Sequence, residues 1–268
     1  PLLNTYDLVI ISRSVPSGNY QDAGATAWNS VSAPMIVMGG YPMRSSRMGL
    51  VTGTDLADTI NDVTLLAVDP NHPVFAGIPL DVNSVMQSSF AGVVTFNELV
   101  QRGVSVTLDL PAGGGKVLGS VATATDPAVG GMVIGEWLAG ATMGNGAADL
   151  LAGHRLSFLS GSREMDITSE GAGIFDLSGA GTAMFLNAVD YMLIPPDITR
   201  PGDAIVGSSE NTPAAELVSM AIDDDSSTKY LNFDAAGGAV PVGFVVTPAL
   251  GSSVVTGMSL QSANDAPE

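Results

Sequence analysis

The residues with the clearest capacity for chemistry lie near the end of the chain, where three consecutive aspartates, 223–225, precede two serines and Thr228. Three adjacent carboxylates repel one another, so we expect a sharp turn here rather than a continuous strand. Calcium takes six to eight oxygen ligands from carboxylates, hydroxyls and backbone carbonyls, and this stretch supplies all three kinds. The pattern indicates a site for a hard cation, and a solvated acidic turn in an acidic protein is the alternative.

Glu136, Trp137 and His154 are the candidates for binding a ligand in the earlier part of the chain. Glu136 and Trp137 come at the end of a buried apolar run, and a carboxylate beside an aromatic ring can hold a sugar. His154 opens a predicted strand, where it could line a crevice at the carboxyl edge of a sheet, the usual ligand position in open α/β folds. An ordinary strand end is the alternative for all three. The second histidine, His72, precedes a proline and is interpreted as a surface or turn residue, with a ligand role as the alternative.

Composition excludes several classes of function. The chain has no cysteine, which excludes a disulfide framework, a thiolate metal site and a cysteine nucleophile. Its net charge is −18, from 9 Lys plus Arg against 27 Asp plus Glu, and such a surface repels nucleic acids and anionic membranes. Apolar stretches are repeatedly interrupted by glycine, proline or charge, so no membrane span is predicted.

The elements that must position these residues follow from hydrophobic periodicity. Short continuous apolar runs are typical of strands buried on both faces of a parallel sheet. Such runs cover residues 8–11, 35–38, 63–68, 117–121, 132–134 and 156–159, while helices are predicted over 22–31 and 178–193. Strands alternating with helices predict an α/β layered domain with a mostly parallel sheet.

The pattern of apolar and polar residues changes near residue 195, which indicates a domain boundary there. The sequence Ile194-Pro195-Pro196-Asp197 ends the second helix, because proline lacks the amide proton that a helix needs. We therefore predict one domain over residues 1–195 and a second over 196–268. The second has short alternating segments, with strands predicted at 242–246 and 254–260 and a short helix at 214–221, as in an all-β sandwich.

Both domains look incomplete. The first strand begins by Leu8, which leaves too few residues for a preceding strand and helix. The second domain has roughly 70 residues, fewer than the about 100 of a typical sandwich. We expect the chain to be a fragment of a longer protein.

The first domain resembles the class I glutamine-amidotransferase-like fold, in the branch related to trehalose-utilisation proteins. The motifs that carry the resemblance are residues 6–12 (YDLVIIS), 33–40 (APMIVMGG), 71–79 (NHPVFAGIP), 153–161 (GHRLSFLSG) and 185–192 (FLNAVDYM). The resemblance implies a flavodoxin-like three-layer domain that has lost its first strand–helix unit.

The residues that perform catalysis in active members of that family are absent. Those members use a cysteine at a sharp strand-to-helix turn together with a His-x-Glu pair, so that a base activates the nucleophile. Here the corresponding turn reads Gly39-Gly40-Tyr41, and His154 is followed by Arg155 and Leu156. The resemblance therefore implies a catalytically degenerate domain.

The second domain resembles the N-terminal part of a discoidin-like domain, the coagulation-factor type C family with a galactose-binding-like jelly roll. The resemblance rests on residues 204–208, 215–221 and 222–225, with Thr228 and Tyr230. In that family the acidic turn binds a structural calcium ion. By position, Asp223 and Thr228 would supply side-chain oxygens and Asp225 a carbonyl or carboxylate oxygen, while Asp224 stands where glycine is common.

Three functions are compatible with these observations. The first is a non-catalytic fragment of a secreted or cell-surface multidomain bacterial protein, which binds carbohydrate through a calcium-stabilised sandwich. The second is a hydrolase or sugar-processing enzyme with its site at the α/β crevice and the sandwich as a targeting module. Glu136, His154 and Asp7 would then be its acid–base candidates. The third is a structural or adhesion role, and the sequence leaves the oligomeric state undetermined.

Overall fold

The computed structural model describes residues 2–96, 100–161, 174–193, 198–225, 227–235 and 242–249. The chain divides into two compact units, residues 1–194 and 195–268. The boundary predicted between residues 195 and 196 falls in the stretch 194–197, which lies outside the described residues.

The first unit contains ten strands and two α-helices among its described residues. The strands are β1 (Val9–Ile11), β2 (Met35–Val37), β3 (Leu56–Asp58), β4 (Leu65–Ala67), β5 (Val94–Phe96), β6 (Val100–Arg102), β7 (Ser105–Thr107), β8 (Lys116–Val121), β9 (Met132–Trp137) and β10 (Arg155–Phe158). The helices are α1 (Ala23–Asn29) and α2 (Gly179–Leu193). Short 3-10 helices cover Leu2–Thr5, Ser17–Tyr20, Tyr41–Met43 and Pro73–Phe75.

Eight of these strands form one mixed sheet, in the order β1-β2-β10-β9-β7-β3, with β8 also paired to β9 and β4 paired to β8. Strands β1, β2 and β10 run parallel to one another. The other five pairings of this sheet are antiparallel. The architecture is therefore α/β with a mixed sheet, and the prediction of a mostly parallel sheet is wrong for the described strands.

Burial explains why that prediction failed. All six residues of β9 are buried, although each of its pairings is antiparallel. A continuous apolar run reports that both faces of a strand are covered, and it carries no information about the direction of the neighbouring strands. The six predicted runs agree with β1, β2, β4, β8, β9 and β10 to within a few residues, whereas β3, β5, β6 and β7 were not predicted.

Helix α2 covers one face of the sheet, where it packs on β10 and β2. Its buried side chains Met184, Ala188 and Met192 recur every four residues, as expected for the inner face of a helix. The ring of Phe158 on β10 lies between Phe90 and Phe185, with centroid separations of 5.3 and 5.4 Å. Burial of each large apolar side chain here contributes roughly 1.5–3 kcal/mol.

A fully buried arginine hydrogen-bonds the free carbonyls at the end of α1. The guanidinium of Arg155 donates to the carbonyls of Trp28, Val31, Ala33 and His154, at 3.3, 2.6, 3.2 and 3.0 Å. The last carbonyls of a helix have no partner within the helix itself. Arg155 therefore satisfies carbonyls at and after the end of α1 that burial has removed from water.

The second unit has a two-stranded antiparallel sheet among its described residues, formed by β11 (Ala204–Gly207) and β12 (Phe244–Thr247). Short 3-10 helices cover Val218–Ala221 and Phe233–Ala235. The helix predicted at 214–221 is thus only a single 3-10 turn. The strand predicted at 254–260 lies outside the described residues.

Candidate functional site

A buried carboxylate at the end of β9 gathers polar side chains from three other segments. The Oε1 atom of Glu136 lies 2.9 Å from Nε2 of His154 and accepts a hydrogen bond from the hydroxyl of Tyr191 at 2.5 Å. Glu136 is paired directly with Leu156, so His154, two residues before Leu156, lies on the same face of the sheet. Tyr191 reaches this face from α2.

The second histidine joins the same group. The Nε2 atom of His72 lies 4.0 Å from Oε1 of Glu136, and its ring meets the ring of Tyr191 edge-on at a centroid distance of 4.6 Å. Its other ring nitrogen, Nδ1, accepts a hydrogen bond from the amide of Val74 at 3.2 Å. We call His72, Glu136, His154 and Tyr191 the His–Glu cluster. Sequence reasoning missed His72 and Tyr191 as members, although the His-Pro pair was a recognisable start of a 3-10 helix.

The electrostatics of the cluster fix the charge on Glu136. Burial raises the pKa of this carboxyl, but hydrogen bonds from His154 and Tyr191 and the nearby imidazoles outweigh burial, and the pKa is lowered to about 2. For His72, burial lowers the pKa below its ordinary value of 6.5. The negative charges of Glu136 and Asp69 oppose that decrease, and His154 and Lys116 add to it. At neutral pH the cluster therefore holds an ionised carboxylate beside a neutral His72.

The hydrogen bonds also assign the imidazole tautomers. Because Nδ1 of His72 accepts the Val74 amide, the proton of its neutral ring is on Nε2. Because ionised Glu136 can only accept, Nε2 of His154 is likewise the donor. The part of the chain that the structure describes has no group of three His, Cys, Asp or Glu residues arranged to hold a metal ion.

The cluster lies at the opposite edge of the sheet from the one expected. His154 immediately precedes β10, so it lies at the amino end of the three parallel strands rather than at their carboxyl end. Trp137 does not share the surroundings of the Glu136 side chain. Its indole packs close to Gly115 and Gly135 and is only 1% exposed. Asp7 is exposed and lies two residues before β1.

At the carboxyl edge of the parallel strands, backbone of a neighbouring segment lies close to Gly40. A Cβ atom at Gly40 would lie 2.8 Å from the carbonyl oxygen of Ser105, so no larger residue fits without movement. Beside it, Arg13 forms an ion pair with Asp176 at 3.0 Å. The other carboxylate oxygen of Asp176 accepts the amide of Gly161 at 2.7 Å. Arg13 and Asp176 thus neutralise each other at this edge.

The acidic turn of the second unit brings its predicted ligand atoms together. The hydroxyl oxygen of Thr228 lies 2.7 Å from Oδ2 of Asp223 and 3.0 Å from the carbonyl oxygen of Asp225. The carboxylate of Asp225 is directed elsewhere, because it accepts the amide and hydroxyl of Ser227 at 2.8 and 2.6 Å. Of the two oxygens proposed for Asp225, the carbonyl is the one that faces Thr228.

The backbone of this turn has the shape that glycine would permit. Asp224 has a positive φ of 57°, in the left-handed region. Most side chains avoid this region, whereas aspartate and asparagine tolerate it. Asp224 therefore has a backbone conformation that glycine would adopt without strain.

The donor set fits a calcium ion in its chemistry. A carboxylate, a hydroxyl and a backbone carbonyl are hard oxygen ligands of the kind that calcium prefers. The hydroxyl oxygen of Thr228 lies within 3.0 Å of both other oxygens. Asp223, Asp225 and Thr228 would hold the ion, and further ligands would complete the six to eight that calcium takes.

Comparisons with known proteins add little to this description. The chain matches no known family model, and no curated protein sequence matches it. Among solved structures it is similar to a cytoplasmic protein, STM3548 from Salmonella typhimurium, with 12% identity and a TM-score of 0.38. That match covers 71% of this chain and 73% of the other. Within the described ranges, no helix is long and apolar enough to cross a bilayer.

Proposed function

We propose that the chain is a non-catalytic binding fragment of a secreted or cell-surface multidomain bacterial protein, and that its second unit is a calcium-stabilised, discoidin-like jelly roll. The observation that carries this proposal is the convergence of three oxygens from Asp223, Asp225 and Thr228. The left-handed conformation of Asp224 supports it, since the family turn has glycine at that position.

Calcium would act here by holding a loop together. Without a cation, the adjacent carboxylates at 223–225 repel one another in a turn whose acidic side chains are largely exposed. A bound ion removes that repulsion and links the two ends of the turn, so neighbouring loops are ordered before a ligand arrives. A carbohydrate is the ligand class that we propose, because hydroxyl-rich ligands suit loops held in advance by a structural ion.

The first unit is proposed to be a flavodoxin-like, amidotransferase-like domain that no longer performs catalysis. Two observations support this. Strands β1, β2 and β10 run parallel to one another, as strands of such a fold would. At the carboxyl edge of these strands, the close approach of the Ser105 carbonyl to Gly40 leaves no room for a side chain at position 40 without movement.

Calcium titration of the whole chain tests the proposal. Isothermal calorimetry should give one binding event, and calcium at 100 times the Kd should stabilise the second unit by about 2.7 kcal/mol in chemical denaturation. Asp223→Ala should abolish both effects. Glu210→Ala is the matched control, because it removes one exposed carboxylate of the same unit outside the turn. Equal binding by Asp223→Ala, or absence of binding by the unaltered chain, would refute the calcium proposal.

A separate measurement tests the carbohydrate. Retention on immobilised galactose, mannose and cell-wall polysaccharides should depend on calcium and disappear with a chelator. If calcium binds but no glycan is retained, the ligand class is wrong while the structural ion stands.

An enzyme is the second candidate, and the 2.9 Å contact of His154 with Glu136 favours it. A carboxylate that holds one imidazole nitrogen leaves the other as a base, which is the arrangement of a catalytic dyad. The residue exposures of 4% for His154 and 8% for Glu136 favour a structural role instead. Turnover of nitrophenyl glycosides or esters that disappears in His154→Ala would establish the enzyme.

A further inference from the structure

The short 3-10 helix Pro73–Phe75 has a titratable cap. His72 is its N-cap residue, and Nδ1 of the ring accepts the amide of Val74 at 3.2 Å. Serine, threonine, asparagine and aspartate usually occupy such positions, and none of them changes charge near neutral pH. A histidine nitrogen accepts a hydrogen bond only when it carries no proton. The cap therefore exists in one protonation state and one tautomer of His72.

The opposite nitrogen of the same ring faces a negative charge. Nε2 of His72 lies 4.0 Å from Oε1 of Glu136, which is too far for a hydrogen bond. It has no hydrogen-bond partner among the described residues, although both side chains are more than nine-tenths buried. A protonated ring would gain attraction to this carboxylate that the neutral ring lacks.

The capped segment is bonded to the long helix α2. The side-chain amide of Asn187 donates to the carbonyls of Val74 and Ala76, at 3.2 and 2.9 Å. One turn further along α2, Tyr191 contacts the His72 ring and donates to Glu136. Protonation of the His72 ring would therefore affect both the 3-10 helix, through the Val74 amide, and α2, through Tyr191.

We propose that His72 is an acid-sensitive latch that holds the segment 72–76 on α2. Protonation adds a hydrogen to Nδ1, where it meets the hydrogen of the Val74 amide. Two donors repel, so the cap opens, and the charged ring moves toward Glu136. The neutral ring keeps the 3-10 helix capped and docked, and the charged ring exchanges that cap for an ion pair.

The groups around the ring set the pH at which the latch opens. Glu136 on β9 and Asp69 in the preceding loop favour the charged ring, whereas burial, His154 before β10 and Lys116 on β8 oppose it. Burial is the largest effect, so the pKa of His72 lies below its ordinary value of 6.5. Tyr191 on α2 contributes a hydroxyl that already donates to Glu136. The latch is therefore closed at neutral pH, and it opens in acid at a pH below the ordinary histidine pKa of 6.5.

An NMR titration of the whole chain tests the latch. The chain has two histidines, so spectra of His154→Gln identify the ring signals of His72. At pH 7.5 the proton of the His72 ring should be on Nε2. As the ring titrates, the hydrogen-exchange protection factor of the Val74 amide should fall about threefold to tenfold, the effect of losing one hydrogen bond. A proton on Nδ1 at pH 7.5, or unchanged protection of Val74 across the titration, would overturn the proposal.

His72→Asn is the matched variant, because asparagine caps helices well and does not titrate. In this variant the Val74 amide should be protected from hydrogen exchange at neutral pH, and its protection factor should not fall in acid. A fall of the same size in this variant would assign the effect to another group and overturn the latch. If the variant does not fold, the tautomer and the Val74 protection of the unaltered chain still decide the question.

Discussion

Glu136 and His154 lie 18 positions apart in the chain, and their side chains meet at 2.9 Å on one face of the sheet. The contact lies between the last residues of β9 and the residue before β10, at the end of this antiparallel pair where the loop 138–154 connects the two strands. Tyr191 donates to the same carboxylate oxygen from α2. Glu136 thereby links two neighbouring strands to the helix that covers them.

The ionised Glu136 makes the stability of the first unit depend on pH in acid. Its folded-state pKa of about 2 lies below the ordinary value of 4.5. Such a group contributes stability that is complete above the ordinary pKa and is lost as the pH falls through the folded-state value. In urea unfolding at successive pH values, we expect the free energy of unfolding to decline between about pH 4.5 and 2, and this decline should shrink in Glu136→Gln.

At neutral pH, Glu136→Gln should lower the free energy of unfolding by roughly 1–3 kcal/mol, because an amide accepts the two donors less strongly than a carboxylate. Asp7→Asn is the control, since Asp7 is exposed. It should change stability by no more than about 0.5 kcal/mol. Equal effects of the two substitutions would contradict the assignment of the charge to the cluster.

Replacement of Arg155 by lysine should destabilise the first unit strongly. The guanidinium reaches four carbonyls at once, whereas an ammonium has three donors that radiate from one atom. We expect a loss of roughly 2–4 kcal/mol in urea unfolding, because buried carbonyls are left without donors. Arg47→Lys, at a half-buried position, should cost about 0.5 kcal/mol or less. A small effect at Arg155 would mean that water replaces the guanidinium.

Two glycines in the first turn of α2 should respond to alanine in opposite directions. A Cβ at Gly181 would lie 2.1 Å from the carbonyl oxygen of Phe90, whereas a Cβ at Gly179 would meet nothing within 4 Å. Gly181→Ala should therefore destabilise by about 1–3 kcal/mol despite the better helix propensity of alanine. Gly179→Ala should stabilise by about 0.5 kcal/mol. Thermal or urea unfolding of both variants measures the difference, and stabilisation by Gly181→Ala would place the helix farther from Phe90.

The left-handed residue in the acidic turn offers a test that keeps the proposed ligands intact. Asp224 has a φ of 57°, which glycine adopts freely and β-branched residues strongly avoid. Asp224→Gly should bind calcium with an affinity within about threefold of the unaltered chain. Asp224→Val should bind about fivefold to thirtyfold more weakly, since left-handed strain of roughly 1–2 kcal/mol opposes the turn. Similar affinities for the two variants would exclude this turn as the calcium site.

The positions of six strands and of α2 were predictable because burial produces apolar runs and helical periodicity in the sequence, whereas β3, β5, β6 and β7 were not predicted. The apolar runs at 35–38 and 156–159 correspond to β2 and β10, and the helical periodicity at 178–193 corresponds to α2. Strand direction was not predictable in the same way. All residues of β9 are buried, so its sequence has the apolar run typical of a parallel strand, although its neighbours are antiparallel. A strand covered on both faces has the same kind of sequence in either arrangement.

The candidate site was predictable only in part. Glu136 and His154 stood out as polar residues beside apolar runs, but their contact depends on the pairing register of β9 with β10. His72 and Tyr191 join them through a loop and a distant helix. Trp137 follows Glu136 directly, yet successive strand residues project to opposite faces, so its ring packs elsewhere. Tertiary pairing, which no local pattern encodes, decides which of these neighbours meet.

The position of β10 has a consequence for synthesis. In the described sheet, this late strand separates β2 from β9 and is the one that hydrogen-bonds to both. A growing chain that ends before residue 155 thus carries two groups of strands with unpaired edges and nothing to join them. Such edges attract other chains. We expect nascent chains stalled before this point to require chaperones, and release from them to coincide with the emergence of residues 155–158.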